Sequence, residues 1–258
     1  MHVKHYYMAF SWVSIAVRLN YFRLEMSRAN ELCPYVPFLF ILMSYCDAGS
    51  LEDLLWPQVG RDSERERDGY FSPSTLPDST IWSLLIDITL GMQHLHRNYV
   101  LHRDLKPSNI LLTVDATSAC GVRAVLSDFG TAEIVGSEAT RVAHSGFTGT
   151  VEYTAPEVLS ENSGHECSEA SDMWSLGILV HAMCYNAVPY RNSDPQLCAR
   201  MIISDSREIQ LPSAPERDSD LKNLITALTA RDATLRPCCS DILFHPFVRE
   251  KNEARYRR

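Results

Sequence analysis

Three short motifs in one order constrain this chain more than any other feature. They are His102-Arg103-Asp104-Leu105-Lys106-Pro107-Ser108-Asn109, then Asp128-Phe129-Gly130, then Ala155-Pro156-Glu157. Asp128 follows Asn109 by 19 residues, and Glu157 follows Asp128 by 29. Between the first two motifs lie the apolar runs Ile110-Leu111-Leu112 and Ala124-Val125-Leu126, with a turn near Gly121. Runs of this kind around a turn read as two short strands, so a β-ribbon is expected to carry the chain from Asn109 to Asp128. Taken singly, each motif residue has an ordinary structural reading. An Asp before a Leu is a surface acid or a cap, and a lone Asn or Gly marks a turn. The ordered set demands more than that.

The surrounding pattern is that of a globular α+β chain. A length of 258 residues suits one large domain or two small ones, with 45% hydrophobic and 22% charged residues. Residues 81–96 carry apolar side chains at helical spacing, with Asp78 or Ser79 as the expected cap. Residues 173–185 are apolar almost all round, as in a helix at the centre of a core. Residues 221–228 and 240–244 read as further helices. Ser50, followed by Glu52 and Asp53, reads as a capped helix start. Phe38-Leu39-Phe40-Ile41-Leu42-Met43 reads as a strand, and residues 10–19 as a buried strand or short helix. Residues 57–79 read as a mobile polar insert, and residues 131–149 as a flexible segment with little to bury.

Composition also excludes. A net charge of −8 argues against nucleic acid as a partner. Eight cysteines with no C-x-x-C spacing read as reduced thiols of an intracellular protein. No apolar run approaches the ~20 residues of a membrane span. Residues 8–17, apolar behind Lys4 and His5, have the outline of a signal peptide core, set against the cytosolic chemistry implied below.

The three motifs, at these separations, resemble the catalytic half of a eukaryotic Ser/Thr protein kinase. The stretch from Cys33 to Met43 is also similar to fungal IKS-type kinases. The resemblance implies ATP and Mg²⁺ as cofactors, a protein substrate with a Ser or Thr hydroxyl, and a cytoplasmic setting. It implies that Asp104 orients the substrate hydroxyl and that Lys106 neutralises the transferring phosphoryl. Asn109 and Asp128 would be the Mg²⁺ ligands. Thr150 would bond Asp104 and Lys106, and Asp172 would hold the backbone of residues 102–104. Glu157 would pair with Arg236. Adenine would bond the backbone of Ser44 and Cys46, with Met43 as gatekeeper and Leu111 beneath the ring. Arg103 offers a charge that a phosphorylated segment can satisfy, with Thr140, Ser145 and Thr148 as candidate phosphosites.

The resemblance has a gap. No G-x-G-x-x-G occurs, and the first glycine is Gly49. Lys4 behind Val3 is rejected as the phosphate-gripping strand lysine. The expected architecture is therefore a kinase-like α+β fold, with a mostly helical C-terminal lobe and a truncated N-terminal β lobe of one or two strands. Residues 1–37 are an unassigned remnant of the small lobe, 38–248 the hinge and large lobe, and 249–258 a basic tail. Two functions follow: a Ser/Thr kinase, or a catalytically impaired pseudokinase acting as a binding module. An upstream kinase or a partner that completes the fold would accompany either.

Overall fold

The structure, a computed structural model, describes residues 5–10, 13–23, 35–42, 44–57, 75–135, 150–160, 167–246 and 248–249. The chain forms two compact units, residues 1–45 and 46–258.

The first unit is a three-stranded antiparallel meander in the order β1-β2-β3: His5–Phe10, Val13–Arg23 and Tyr35–Leu42. One strand more is present than the sequence led us to expect, and residues 13–19 are strand, not helix. The physical reason is visible in β2. Val13, Ile15, Val17, Leu19 and Tyr21 alternate with Ser14, Ala16, Arg18 and Asn20, a period of two that a helix cannot use. The register sets Met8 opposite Ile15 and Asn20 opposite Phe38. Pro37 lies in β3, an outer strand of this sheet, where a missing N–H need not break a ladder.

The second unit is mostly helical. Helix α1 (Leu51–Leu55) starts as expected at Ser50, whose Oγ accepts from Asp53 N at 3.2 Å while the Asp53 carboxylate accepts from Ser50 N at 3.0 Å. Helix α2 (Asp78–Arg97) buries Ile81, Leu84, Leu85, Ile88, Met92 and Leu95. Neither Asp78 nor Ser79 caps it; the cap position is Pro77, without a side-chain bond. Asp78 is claimed elsewhere: its carboxylate accepts from Arg217 at 2.6 Å and from Asp218 N at 2.8 Å. Arg217 is buried and also bonds the carbonyl of Leu76 at 2.7 Å. The end of the expected mobile insert is thus anchored from residue 75 onward, and residues 58–74 lie outside the described residues.

Strands β4 (Val100–Leu101) and β7 (Glu133–Ile134) pair antiparallel, as do β5 (Ile110–Val114) and β6 (Val122–Leu126). The β5–β6 hairpin is the expected ribbon, with Gly121 at φ +77 in its turn. Helix α3 is Pro156–Leu159, and α4 is Glu169–Tyr185. Every residue of α4 from Ser171 to Tyr185 is buried. Helices α5 (Pro195–Ser204), α6 (Ser219–Leu228) and α7 (Cys239–Phe244) follow.

Two glycines set how closely elements approach. A Cβ on Gly91 of α2 would fall 2.8 Å from the Leu126 Cδ1 of β6. A Cβ on Gly177 of α4 would fall 2.7 Å from Thr229 Cγ2 and 2.8 Å from Leu228 Cβ, at the end of α6. Among the described residues no helix is long and apolar enough to cross a membrane.

Candidate active site

The loop of residues 102–109 hangs from helix α4 by one carboxylate. Asp172, in the first turn of α4, is 2% exposed and accepts three hydrogen bonds. They come from His102 N at 2.9 Å, Arg103 N at 2.8 Å and His96 Nε2 at 2.9 Å. Burial pushes the Asp172 carboxyl up, but the His96 bond and charge outweigh it and hold it below the usual carboxylate range. Burial likewise pulls His96 down, but its bonds to Asp172 and Cys239 carry it up to about 10. At neutral pH the pair is therefore an imidazolium on a carboxylate.

The same turn of α4 holds a second segment. Ser171 Oγ donates to Glu157 at 3.0 Å, and Ser175 Oγ donates to the carbonyl of Tyr153 at 2.8 Å. Glu157 takes two further bonds from Arg236, at 2.6 and 2.9 Å. Arg236 also donates to the carbonyls of Ala230 and Ala170, both at 2.8 Å, and lies over the Trp174 ring at 5.1 Å. Arg231 stacks on the same ring, also at 5.1 Å.

Asp104 gathers the loop's polar groups. Lys106 Nζ lies 2.8 Å from its Oδ2, and Asn109 Nδ2 donates to the same oxygen at 3.0 Å and to the Asp104 carbonyl at 2.8 Å. Lys106 Nζ also donates to Thr150 Oγ1 at 3.0 Å. Thr150 meets Asp104 through its backbone N–H, at 3.3 Å, rather than through its hydroxyl.

The hairpin delivers Asp128 to this cluster. Ile110 pairs with Leu126, and one step on Ser127 donates to the carbonyl of Asn109 through its N–H at 2.9 Å and its Oγ at 3.0 Å. Asn109 and Asp128 therefore flank the same end of one ladder. Asp128 is exposed and left-handed at φ +58, and one carboxylate oxygen accepts from Gly130 N at 3.2 Å. An L-residue in that region costs energy, and such strain recurs where a side chain must be aimed.

The adenine-side residues are less gathered. Leu111 is half-buried on β5, whose next residue exchanges backbone bonds with Ala48 and Gly49 at 3.0 and 2.8 Å. Cys46 is half-buried, and burial with the neighbouring Asp47 pushes its thiol up. Ser44 is exposed. Met43, Thr140, Ser145 and Thr148 lie outside the described residues.

Two features escaped the sequence. His102 is fully buried, with its ring 5.5 Å from that of Phe129. Burial holds its ring below the usual imidazole range, so it is neutral. Residues 131–135, expected to be flexible, are anchored: Thr131 Oγ1 bonds the His102 carbonyl at 3.3 Å, and Val135 N bonds the Tyr99 carbonyl at 2.7 Å. Glu133 between them forms an ion pair with Arg103. No composition signal could have found these contacts, because each partner is about 30 residues away.

Known proteins answer to this arrangement. Residues 25–248 match the family described as Protein kinase domain. The chain is 32% identical over 257 residues to a protein of Dictyostelium discoideum named probable serine/threonine-protein kinase iksA, covering 89% of this chain and 25% of that one. It is 31% identical over 215 residues to the mitogen-activated protein kinase kinase kinase 12 of Rattus norvegicus, covering 83% and 21%. It is 30% identical over 210 residues to the serine/threonine-protein kinase nekl-2 of Caenorhabditis elegans, covering 81% and 53%. The chain thus spans about a quarter to a half of the length of these relatives.

Proposed function

Because the chain belongs to the protein kinase domain family, we propose that it transfers the γ-phosphoryl group of ATP to Ser or Thr hydroxyls of protein substrates. The observation that carries this reading is the single hydrogen-bonded cluster of Asp104, Lys106, Asn109 and Thr150. Phosphoryl transfer asks a protein for positioning and charge compensation more than for covalent work. Asp104 would accept the proton-bearing side of the incoming hydroxyl and aim its oxygen. Lys106 sits between Asp104 and Thr150, where its charge offsets negative charge brought in by a phosphate. Thr150 ties the substrate-side segment to the loop.

The residues fit Mg²⁺ with ATP. The Asn109 amide nitrogen is committed to Asp104, which leaves its Oδ1 as the atom for a cation. Asp128 adds a charged, exposed carboxylate at the same end of the hairpin. One carboxylate and one amide oxygen are a sparse set, and Mg²⁺ takes such sets when phosphate oxygens complete its shell. When bound, Mg²⁺ with ATP would supply the electrophilic phosphorus and screen the charge that develops on it. For adenine we retain the backbone of Ser44 and Cys46, Met43 as gatekeeper and Leu111 beneath the ring. A cytoplasmic setting and an upstream kinase or completing partner belong to the same reading.

A second reading rests on one sequence observation: no G-x-G-x-x-G occurs in the 258 residues given. Without a phosphate-covering loop this stretch of chain would act as a pseudokinase that binds partners. Phosphate incorporation into casein, measured with Mg²⁺ and ATP for the chain and for Asp104→Asn, separates the two. A positioned base contributes about 10²–10⁴-fold, so the variant should lose at least about a hundredfold. Equal incorporation would sink the enzyme reading and leave the binding module.

A further inference from the structure

We infer that Cys239 is a positioning residue for the Asp104 loop, its sulfur turning the His96 ring so that the ring's N–H meets Asp172. The inference rests on the kinase reading of that loop and adds to it a residue from α7. Asp172 Oδ2 accepts from both His102 N and His96 Nε2, each at 2.9 Å. The oxygen that holds the loop therefore depends on where the imidazole points. That direction is set by the bond made at the ring's other nitrogen. There Cys239 Sγ lies 3.8 Å from Nδ1. Cys239 is 3% exposed, and its thiol donates to Met173 Sδ at 3.6 Å. The thiol proton is thus turned toward Met173, which leaves a sulfur lone pair for the ring N–H. The His96 ring donates on both sides, to sulfur and to carboxylate.

Two features agree that the ring carries both protons. His96 lies in the last turn of α2, where the helix dipole favours a cation. Burial pulls the ring down, and the bonds to Asp172 and then Cys239 carry it up. The titratable groups around it come from two elements. Helix α4 presents Asp172 and Glu169, with Glu169 Oε2 3.9 Å from Nδ1, and α7 presents Cys239. Strand β4 is Val100–Leu101 and brings no charge, and Arg123 of β6 pairs with Asp115 at 2.6 Å. Glu169 is 54% exposed, so water screens its charge. Cys239 is the buried acceptor at Nδ1.

The delivery of Cys239 is fixed by the backbone. The Asp241 carboxylate accepts from Cys238 N at 2.8 Å and sets the first turn of α7. In that turn Ser240 Oγ accepts from Gln93 Nε2 at 3.0 Å, and its neighbour Cys239 meets His96. Gln93 and His96 are three residues apart, on one face of α2. Two adjacent residues of α7 thus clamp the end of α2. The contacts run from Cys239 through His96 and Asp172 to the amides of His102 and Arg103, one peptide before Asp104.

The test uses the full chain with Cys239→Val, which fills the space without an acceptor, Cys239→Ser, which keeps one, and Glu169→Gln. The first readout is the titration of the His96 ring by NMR. In Cys239→Val the midpoint should fall by about one pH unit, a tenfold loss of proton affinity. Cys239→Ser should recover part of it, and Glu169→Gln should move it less than Cys239→Val does. The amide proton shifts of His102 and Arg103 should follow the ring's midpoint in each protein. The second readout is Asp104-dependent incorporation of phosphate into casein. The alkaline limb of kcat should move down by the same unit in Cys239→Val, with KM for ATP unchanged. A ring midpoint that stays in place in Cys239→Val overturns the inference, as does a larger movement in Glu169→Gln. Amide shifts or a kcat profile that ignore a moved ring overturn it as well. A wild-type chain no faster than Asp104→Asn refutes the kinase reading instead, and the ring and amide shifts then decide whether Cys239 holds the loop.

Discussion

Removing the counter-charge of Arg236 should cost more stability than removing Arg236 itself. The guanidinium is 0% exposed and the Glu157 carboxylate 22%. In Glu157→Gln the buried positive charge keeps its bonds to the carbonyls of Ala230, Ala170 and Arg231 but loses its one ionic partner among the described residues. Leaving a buried charge without its partner costs about 3–5 kcal/mol. In Arg236→Met the charge is gone, and a flexible apolar chain of similar length remains against Trp174. Glu157 can then draw on water through its exposed fraction and on the Ser171 hydroxyl. What is lost is chiefly the bonds to three carbonyls, the one to Arg231 long at 3.5 Å, about 1–3 kcal/mol in all. The assay is urea unfolding at pH 7, followed by far-UV circular dichroism. With a slope of about 3 kcal/mol/M, Glu157→Gln should lower the midpoint by about 1 M or more. The double variant should fall short of the sum of the two single changes, since both act on one contact. If Arg236→Met proves as costly as Glu157→Gln, desolvation of the guanidinium is not what sets the energetics here, and the reasoning fails.

Two further expectations concern packing and pH. Gly177→Ala should lower stability by about 1–3 kcal/mol, and more than Gly91→Ala. The new methyl at 177 meets the Leu228 Cβ and a β-branched Thr229, whereas at 91 it meets the movable end of Leu126; thermal melts that rank the two in reverse would contradict this. His96 is raised from 6.5 to about 10. A group raised on folding stabilises fully below its unfolded value and loses that contribution as pH climbs through the folded one. The stability advantage of the wild-type chain over His96→Gln should therefore shrink by about 3 kcal/mol between pH 7 and pH 10, and urea midpoints that keep a constant gap over that range would count against an imidazolium at Asp172.

What could be read from the sequence divides by the distance over which its causes act. Helix α4 was legible because it is apolar on every side, a property of its own 17 residues. The hairpin from Asn109 to Asp128 was legible because both strands and their turn lie within a short stretch. The acids and amides of residues 104–109 were singled out because phosphate chemistry needs particular side chains, and they are gathered into one hydrogen-bonded cluster. Helix α5 was missed although Asp194 caps it, accepting from Gln196 N at 2.8 Å, with Pro195 at its first position. Its apolar pattern is divided: Cys198 and Ile202 are buried while Leu197, Met201 and Ile203 are exposed, which blurs the periodic signal. The expected cap at Asp78 failed because Arg217, 139 residues onward, claims that carboxylate. Residues 131–135 have the composition of a free segment, and only their non-local pairing with residues 99–102 orders them. Local propensity was overruled wherever a distant partner held the stronger bond.

Ser171, Asp172 and Ser175 lie within a span of five residues. From there they fix the Glu157 side chain, the amides of His102 and Arg103, and the carbonyl of Tyr153. Helix α4 thus works as a surveyor's datum: the loop of residues 102–109 and the segment that follows Thr150 are each placed by reference to it, and not to one another alone. An insertion between two such segments changes the length of cord without moving either peg. A shift of α4 by a fraction of a turn would move both at once. Variation in this chain should accordingly accumulate in its connections, while the first turns of one buried helix set the coordinates of the whole site.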